Sequence, residues 1–373
     1  MILTYENKKS EKEILDCTKK AALKSVSGKG SANKLIQGDN LAILKALLED
    51  CRLGGKVDLI YIDPPFATNG HFKMSEGRAN TISMANGDDI AYSDTLVGAG
   101  FLEFLRERLI FLRELMSDKA SIYLHIDYKI GHYVKIIMDE IFGRKNFRND
   151  ITRIKCNPKN FDRKAYGNVK DLILFYSKSE SPTWNDPIIP FTEEDIARLF
   201  KKIDKDGRKY TTIPLHAPGE TVSGRTGQEW QGMKPPQGRH WRSAPEILEQ
   251  LDEQGLIEWS ATGVPRKKIF ADEKEGKKMQ DIWELRDPQY PSYPTEKNLE
   301  LLKFIIQSSS NQGDLILDCF CGSGTTLIAA QELERNWIGI DKSDLAVKVT
   351  KKRLADIPSS LFSRVEYEML IQK

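Results

Sequence analysis

"DLILDCFCGSGTTLIAAQELERNWIGID", Asp314 to Asp341, is the stretch that decides the fold class. "DLILDCF" is a short apolar run that ends in a turn signal and reads as a buried strand. Gly322 and Gly324 in "CGSGTT" let the backbone turn sharply and come close to a ligand. "TTLIAAQEL" continues as a helix, and "NWIGID" is a second strand. Asp318 stands at the edge of the first strand. Asp341 ends the second, 23 residues later, as acids that read ribose hydroxyls do. Strand, turn, helix and strand in this order form one parallel crossover unit.

The same rhythm runs outward from this unit. "KLIQGDNLAILKALLE" reads as a strand ending at Gly38-Asp39 and then a helix with Leu41, Ile43, Leu44, Leu47 and Leu48 inward. "KVDLIYIDPPF" is a strand that must stop at Pro64 and Pro65, which cannot donate to a ladder. Residues 67–100 are too long for an ordinary connection, which favours a functional loop that moves. "FLEFLRERLIFLRELM" and "HYVKIIMDEIFG" are helices, and "ASIYLHID" and "DLILFYSKS" strands. "TEKNLELLKFIIQSS" and "SDLAVKVTKKRLADI" are further helices, and "SRVEYEMLI" a final strand. The expected fold is α/β, a doubly wound and mostly parallel sheet. Residues 1–32 read as a basic N-terminal arm or helix on the surface. From 181 to 292 prolines, glycines and tryptophans are scattered without a sustained period, the mark of an insert. It divides the α/β domain into residues 33–180 and 293–373.

Bulk properties narrow the class. The chain has 373 residues, 40% hydrophobic and 29% charged, a globular balance. It shows no apolar run of membrane-span length and no secretory signal core, so a cytoplasmic protein is expected. Cys17, Cys51, Cys156, Cys319 and Cys321 form no CxxC pair, so no metal site is expected. Net charge is only +2, so affinity for nucleic acid must come from local distribution.

Two constellations carry chemistry. A glycine pair at a strand-to-helix turn is by itself weak evidence, but an acid closing each of two successive strands points to a nucleoside cofactor. NAD lacks its third glycine here, where Leu327 stands instead. S-adenosylmethionine fits better, because its sulfonium and amino group suit the carboxylates Asp318 and Asp341. The second constellation is "IYIDPPF", with Asp63, Pro64, Pro65 and Phe66 at a strand's carboxyl edge, where open α/β sheets bind ligands. Taken alone, a proline pair there is a strand terminator. Asp39 has an equally plain role as a helix cap. His125 and Asp127 read as pocket wall and as support behind it, and Phe175 and Tyr176 as strand packing.

"DPPF" with "FCGSGTT" resembles the two signature motifs of the amino-group DNA methyltransferases, which methylate adenine N6 or cytosine N4. The catalytic motif precedes the cofactor motif with an insert between, the order of the beta class of restriction–modification systems. "KLIQGDNLAIL", "SIYLHID", "DLILFYSKS", "PPQGRHWR" and "YPTEKN" also resemble segments of that family and of type III modification subunits. Phe66, where tyrosine is commoner, and Asn298, where proline is usual, depart from the pattern. The resemblance implies a Rossmann-like, circularly permuted methyltransferase domain with an inserted target-recognition domain. It makes Asp39 a contact to the cofactor's adenine, puts Thr295 and Lys297 near its carboxylate, and adds Phe320, Thr325 and Thr326 to the cofactor set. It also implies double-stranded DNA as partner, a cognate restriction subunit and a homodimer.

The chemistry agrees with that implication. The amino lone pair is delocalised into the base, so Asp63 and the Pro64 carbonyl would hold the two N–H groups and push the nitrogen toward tetrahedral geometry. Phe66 would stack on a base drawn out of the duplex. An aspartate at this position goes mostly with adenine in the family, and a serine with cytosine N4. In "SGRTGQEWQGMKPPQGRHWR", Arg225, Lys234, Arg239, His240 and Arg242 interleave with Trp230 and Trp241, a pattern suited to phosphate contact and stacking. Arg153, Lys155, Lys159, Arg163 and Lys164 form a second basic stretch. No cysteine follows a proline, so cytosine C5 chemistry is excluded. Cytosine N4 transfer, a silent DNA-binding subunit, an RNA or protein amide methyltransferase and an NAD oxidoreductase are the rival readings.

Overall fold

The computed structural model describes residues 2–65, 71–75, 78–80, 89–93, 98–157, 164–288, 296–357 and 365–373, with the backbone alone for those within 71–93. The chain divides into two compact units, residues 1–187 with 280–373, and residues 188–279. The second unit is shorter at both ends than the insert expected at 181–292.

The first unit is built on one ten-stranded sheet. In chain order its strands are β1 (Leu23–Ser27), β2 (Lys34–Gln37), β3 (Val57–Ile62), β4 (Met116–Ile126), β5 (Phe147–Ile154), β6 (Lys170–Ser177), β7 (Ile282–Trp283), β8 (Leu315–Asp318), β9 (Asn336–Asp341) and β10 (Glu368–Gln372). Across the sheet they run β1-β10-β2-β9-β8-β3-β4-β6-β5-β7. The stretch from β10 through β2, β9, β8 and β3 to β4 is parallel. The β4–β6–β5 portion and the β1–β10 pair are antiparallel. The expected doubly wound α/β architecture is therefore the one observed. Among the described residues seven helices accompany these strands: α1 (Glu11–Cys17), α2 (Asn40–Glu49), α3 (Ala99–Leu115), α4 (Gly131–Phe142), α5 (Leu299–Ser309), α6 (Thr325–Glu332) and α7 (Asp344–Ala355).

Apolar runs explain the centre. Leu59, Ile60 and Ile62 on β3, Ile122 and Leu124 on β4, and Leu317 on β8 are all fully buried, as strands covered on both faces must be. Helix α3 adds Phe101, Leu105, Leu109 and Leu112 to the same core. On α2, Ile43, Leu44 and Leu47 are buried as expected, while Leu41 and Leu48 pack partly exposed against them.

Three expectations change. The first 32 residues, expected as a surface helix or arm, hold the helix α1, which buries Ile14, and add a strand, β1, that pairs with β10 at the sheet edge. Strand β5 was missed because Arg153, buried on it, breaks the apolar alternation. The segment 67–100 contains a three-stranded antiparallel sheet of 78–80, 71–75 and 89–93.

The second unit has a four-stranded antiparallel sheet in the order 202–203, 209–214, 265–270 and 257–259. It also has helices Glu193–Leu199 and Pro245–Glu253 and a short ladder of 216–218 with 239–241. Thr192 and Asp195 form a capping box at the first helix. A small core gathers Leu215, Trp230, Trp241, Leu248 and Ile257.

Candidate active site

Four neighbouring parallel strands deliver a carboxylate to the same sheet edge. Asp39 follows β2, Asp341 ends β9, Asp318 ends β8 and Asp63 follows β3. Pairing of Gln37 with Asp341, and of Leu317 with Ile60, brings together residues more than 250 positions apart. All four acids line a cavity of about 290 Å³, together with Pro64, Pro65, Lys297 and Phe320. This edge is where a doubly wound sheet binds its ligand.

The glycine turn is held from several sides. Gly324 has a φ of +78°, and a Cβ there would lie 2.6 Å from the Thr350 methyl carbon. The Gly322 N–H donates to Asp341 Oδ2 at 2.8 Å, and the Ser343 N–H to its Oδ1 at 2.8 Å. Burial raises the Asp341 pKa. Each oxygen keeps acceptor capacity for a ribose hydroxyl.

Asp318 lies deeper. It accepts from the Phe320 N–H at 2.9 Å and from the Thr326 hydroxyl at 2.6 Å. Burial pushes its carboxyl up to about 7. A buried acid in this state favours a cationic ligand, which stabilises its ionised form. The Thr325 hydroxyl meets Arg353 Nη1 at 3.0 Å, so both threonines of the motif brace the turn. Asp39 caps α2 through the Ala42 N–H at 3.2 Å and also lines the cavity.

Asp63 is differently placed. Its Oδ2 lies 2.7 Å from the Lys297 ammonium. Its Oδ1 is buried and has no hydrogen-bond partner among the described residues. Burial pushes the Lys297 pKa down, but the carboxylates of Asp63, Asp287 and Asp171 outweigh it and leave a raised value. Lys297, expected near the cofactor's carboxylate, lines the same cavity and pairs with Asp63. Phe66 and Thr295 lie outside the described residues.

Behind Asp63 runs a buried polar chain. The Tyr61 hydroxyl is 2.9 Å from His125 Nδ1, and His125 Nε2 is 3.2 Å from Asp171 Oδ2. Lys155 reaches Asp171 Oδ1 at 2.6 Å. His125 is fully buried, and burial followed by the Lys297 charge lowers its pKa. Of its two expected places, wall of the pocket or support behind it, His125 takes the second. Asp171 is pushed up by burial, yet its bonds to His125 and Lys155 hold it well below the usual carboxylate range. Phe175 stacks on Tyr123 at 4.3 Å, as strand packing.

The sequence reading missed Arg108 and Asn40. Arg108 Nε donates to Asn40 Oδ1 at 2.6 Å, and Asn40 Nδ2 donates to the Cys319 carbonyl at 2.8 Å. The pair ties α3 and α2 to the cofactor turn, and the Arg108 guanidinium lies 3.5 Å from the Phe104 ring centre. An arginine on the otherwise apolar face of "FLEFLRERLIFL" was the available signal.

The second unit corrects part of the basic–aromatic reading. Trp230 and Trp241 are each 3% exposed. Their indole N–H groups donate to Glu249 at 2.7 Å and to the Gln228 carbonyl at 2.9 Å. A small unit has few large apolar side chains, so its tryptophans fill its core. They present no ring for stacking. Arg225, Lys234, Arg239 and Arg242 are exposed, and His240 is half-buried with Nδ1 2.7 Å from the Gly219 carbonyl. Arg239 also touches His216, which the sequence did not single out. In the first unit Arg153 is fully buried between Asp171 and Asp287, so it leaves the second basic stretch.

The fold is α/β of the Rossmann-like class, with Asp318 and Asp341 closing β8 and β9 and Asp63 following β3 around one cavity. The DNA methylase family, which spans N6 and N4 enzymes, matches residues 57–352. The type II methyltransferase M.EcaI of Enterobacter cloacae is 44% identical over 329 residues, 87% of this chain and 69% of that protein. The Mod subunit of the type III restriction–modification enzyme StyLTI of Salmonella typhimurium is 26% identical over 82% of this chain. The chain spans half the length of that subunit. Among solved structures, the cytosine-N4-specific PvuII DNA methyltransferase is 13% identical, with a TM-score of 0.48 over 88% of each chain. This chain belongs to the N6/N4 DNA methylase family, and its cofactor is S-adenosylmethionine. The residues fit that cofactor: three carboxylates offer acceptors to a cation and to ribose hydroxyls, beside a turn too tight for a side chain at Gly324.

Proposed function

We propose that this chain methylates the exocyclic N6 of adenine in duplex DNA, as the modification enzyme of a restriction–modification system. One observation carries the amino-group acceptor, and the aspartate at position 63, in place of a serine, favours adenine by family resemblance. Asp63 keeps one oxygen buried and unpartnered among the described residues, on the wall of the cavity that the cofactor acids line. A buried acceptor left without a donor is costly, by about 1–3 kcal/mol, unless a ligand supplies one. An amino group supplies it.

When bound, S-adenosylmethionine supplies a methyl group made electrophilic by its positive sulfur. Asp63 Oδ1 and the Pro64 carbonyl accept the two amino N–H groups and draw the nitrogen lone pair out of conjugation with the ring. The freed lone pair would take the methyl group that the cofactor supplies, leaving sulfur with the old bond's electrons, and the extra proton on nitrogen would pass to solvent. Holding the nitrogen in line supplies much of the rate. The target base leaves the duplex to reach Asp63, and Phe66 stacks on it. Asp39, Asp318 and Asp341 hold the cofactor, with Gly322, Gly324 and Phe320 shaping its turn. Residues 188–279 act as the recognition unit, through phosphate contacts from the exposed Arg225, Lys234, Arg239 and Arg242 and from His240. A cognate restriction subunit and a second copy of the chain complete the proposed partners.

Nucleoside mass spectrometry of duplex DNA incubated with the purified chain and S-adenosylmethionine tests this. N6-methyladenine is expected, and none from Asp63→Ala at unchanged cofactor affinity. N4-methylcytosine without N6-methyladenine overturns the choice of base.

A further inference from the structure

Residues 296–298 join the cofactor turn to the acceptor acid. Glu296 pairs with Arg353 at 3.0 Å, and Arg353 Nη1 donates to the Ser323 carbonyl at 3.0 Å and meets the Thr325 hydroxyl at the same distance. Asn298 caps α5 by accepting from the Glu300 N–H at 2.8 Å, and its Nδ2 donates to the Arg286 carbonyl at 2.7 Å. Between two residues anchored in this way, Lys297 reaches into the site, buried, and meets Asp63 Oδ2 at 2.7 Å.

We propose that Lys297 is a positioning residue for methyl transfer, not a ligand of the cofactor's carboxylate. Its ammonium fixes Asp63 Oδ2, so that only Oδ1 is left to meet the target amino group. The inference rests on the proposed role of Asp63. A carboxylate on its own rotates about its last bond and presents either oxygen. One oxygen held by a buried ammonium stops that rotation and aims the other. A buried ammonium in turn requires such a partner, since breaking a buried pair leaves an uncompensated charge. Because Glu296 ties the same stretch to the 323–325 turn, the aim of Asp63 is set by the elements that shape the cofactor site.

The test uses the full chain with Lys297→Met, Lys297→Arg, Asp63→Asn and the double variant Lys297→Met/Asp63→Asn. Single-turnover transfer to duplex DNA should fall about 100-fold in Lys297→Met, the scale of a misplaced reacting group. Calorimetric affinity for S-adenosylmethionine should stay within a few-fold, and Lys297→Arg should recover part of the rate. An affinity loss equal to the rate loss returns Lys297 to the cofactor and overturns the proposal. Melting of the unliganded variants reads the pair without any activity. The double variant should melt above Lys297→Met, because Asp63→Asn removes the stranded charge. Additive losses in melting overturn the pair itself. A native chain that transfers no methyl group to DNA defeats the proposed function, while the melting cycle still decides the pair.

Discussion

At the scale of single residues, burial shifts two of the site's acids in the same direction. Asp318 is raised to about 7 by burial, and Asp341 is raised by the same cause. A raised acid binds its proton in the folded chain at pH values where the unfolded chain has lost it. Its stabilising contribution is therefore complete below the unfolded value of 3.8 and is lost as pH rises through about 7. Asp318→Asn should make the unliganded chain melt higher than the native chain at pH 8 and not at pH 4. A cationic ligand favours the ionised acid, so cofactor affinity should decline below pH 7, by at most about tenfold per unit from this one group. Calorimetry at pH 6 and pH 8 reads this directly. Equal affinities there would remove Asp318 from contact with the ligand's charge.

Secondary-structure elements place these acids through turns that tolerate few substitutions. At Gly324 the left-handed backbone alone costs a side chain about 1–2 kcal/mol, and Thr350 occupies the space a Cβ needs. Gly324→Ala should lower the melting temperature and weaken cofactor binding together, since the same turn carries the Gly322 N–H to Asp341. A variant that melts lower yet binds normally would show that the turn reforms around the ligand. In the second unit, Trp241 belongs to a core with Trp230, Leu215, Leu248 and Ile257. Trp241→Ala should therefore destabilise that unit by about 3–5 kcal/mol, read as early protease cleavage within 188–279. A variant that resists protease and fails only in DNA binding would return the ring to the surface.

For the whole molecule, the proposed division of labour makes a separate prediction about salt. Arg239→Ala and Arg242→Ala should each weaken duplex binding and reduce the slope of log affinity against log salt by about one unit if each touches a phosphate. A loss confined to one base position, about 1–3 kcal/mol, would instead mark a base reader. An unchanged slope in both variants would put the phosphate surface on other residues.

The α/β fold was legible in the sequence because buried parallel strands are continuous apolar runs and their turns need glycine and proline, both of which are local signals. "LILDCFCGSGTT" and "IYIDPPF" gave strand, turn and acid without any neighbour. The Asp39 cap was legible in "GDN" for the same reason. Strand β5 was not, because Arg153 is buried there only by virtue of Asp171 on the neighbouring strand and Asp287 far along the chain. Nor was the fate of Trp230 and Trp241, since exposure depends on which elements close over a ring. Composition cannot say whether a tryptophan among arginines faces water or a core. Sequence alone determined the motifs, their order and the sheet they imply. Only the tertiary structure put β8 beside β3 and Lys297 against Asp63, because ion pairing acts through space and those residues meet only after the sheet has formed.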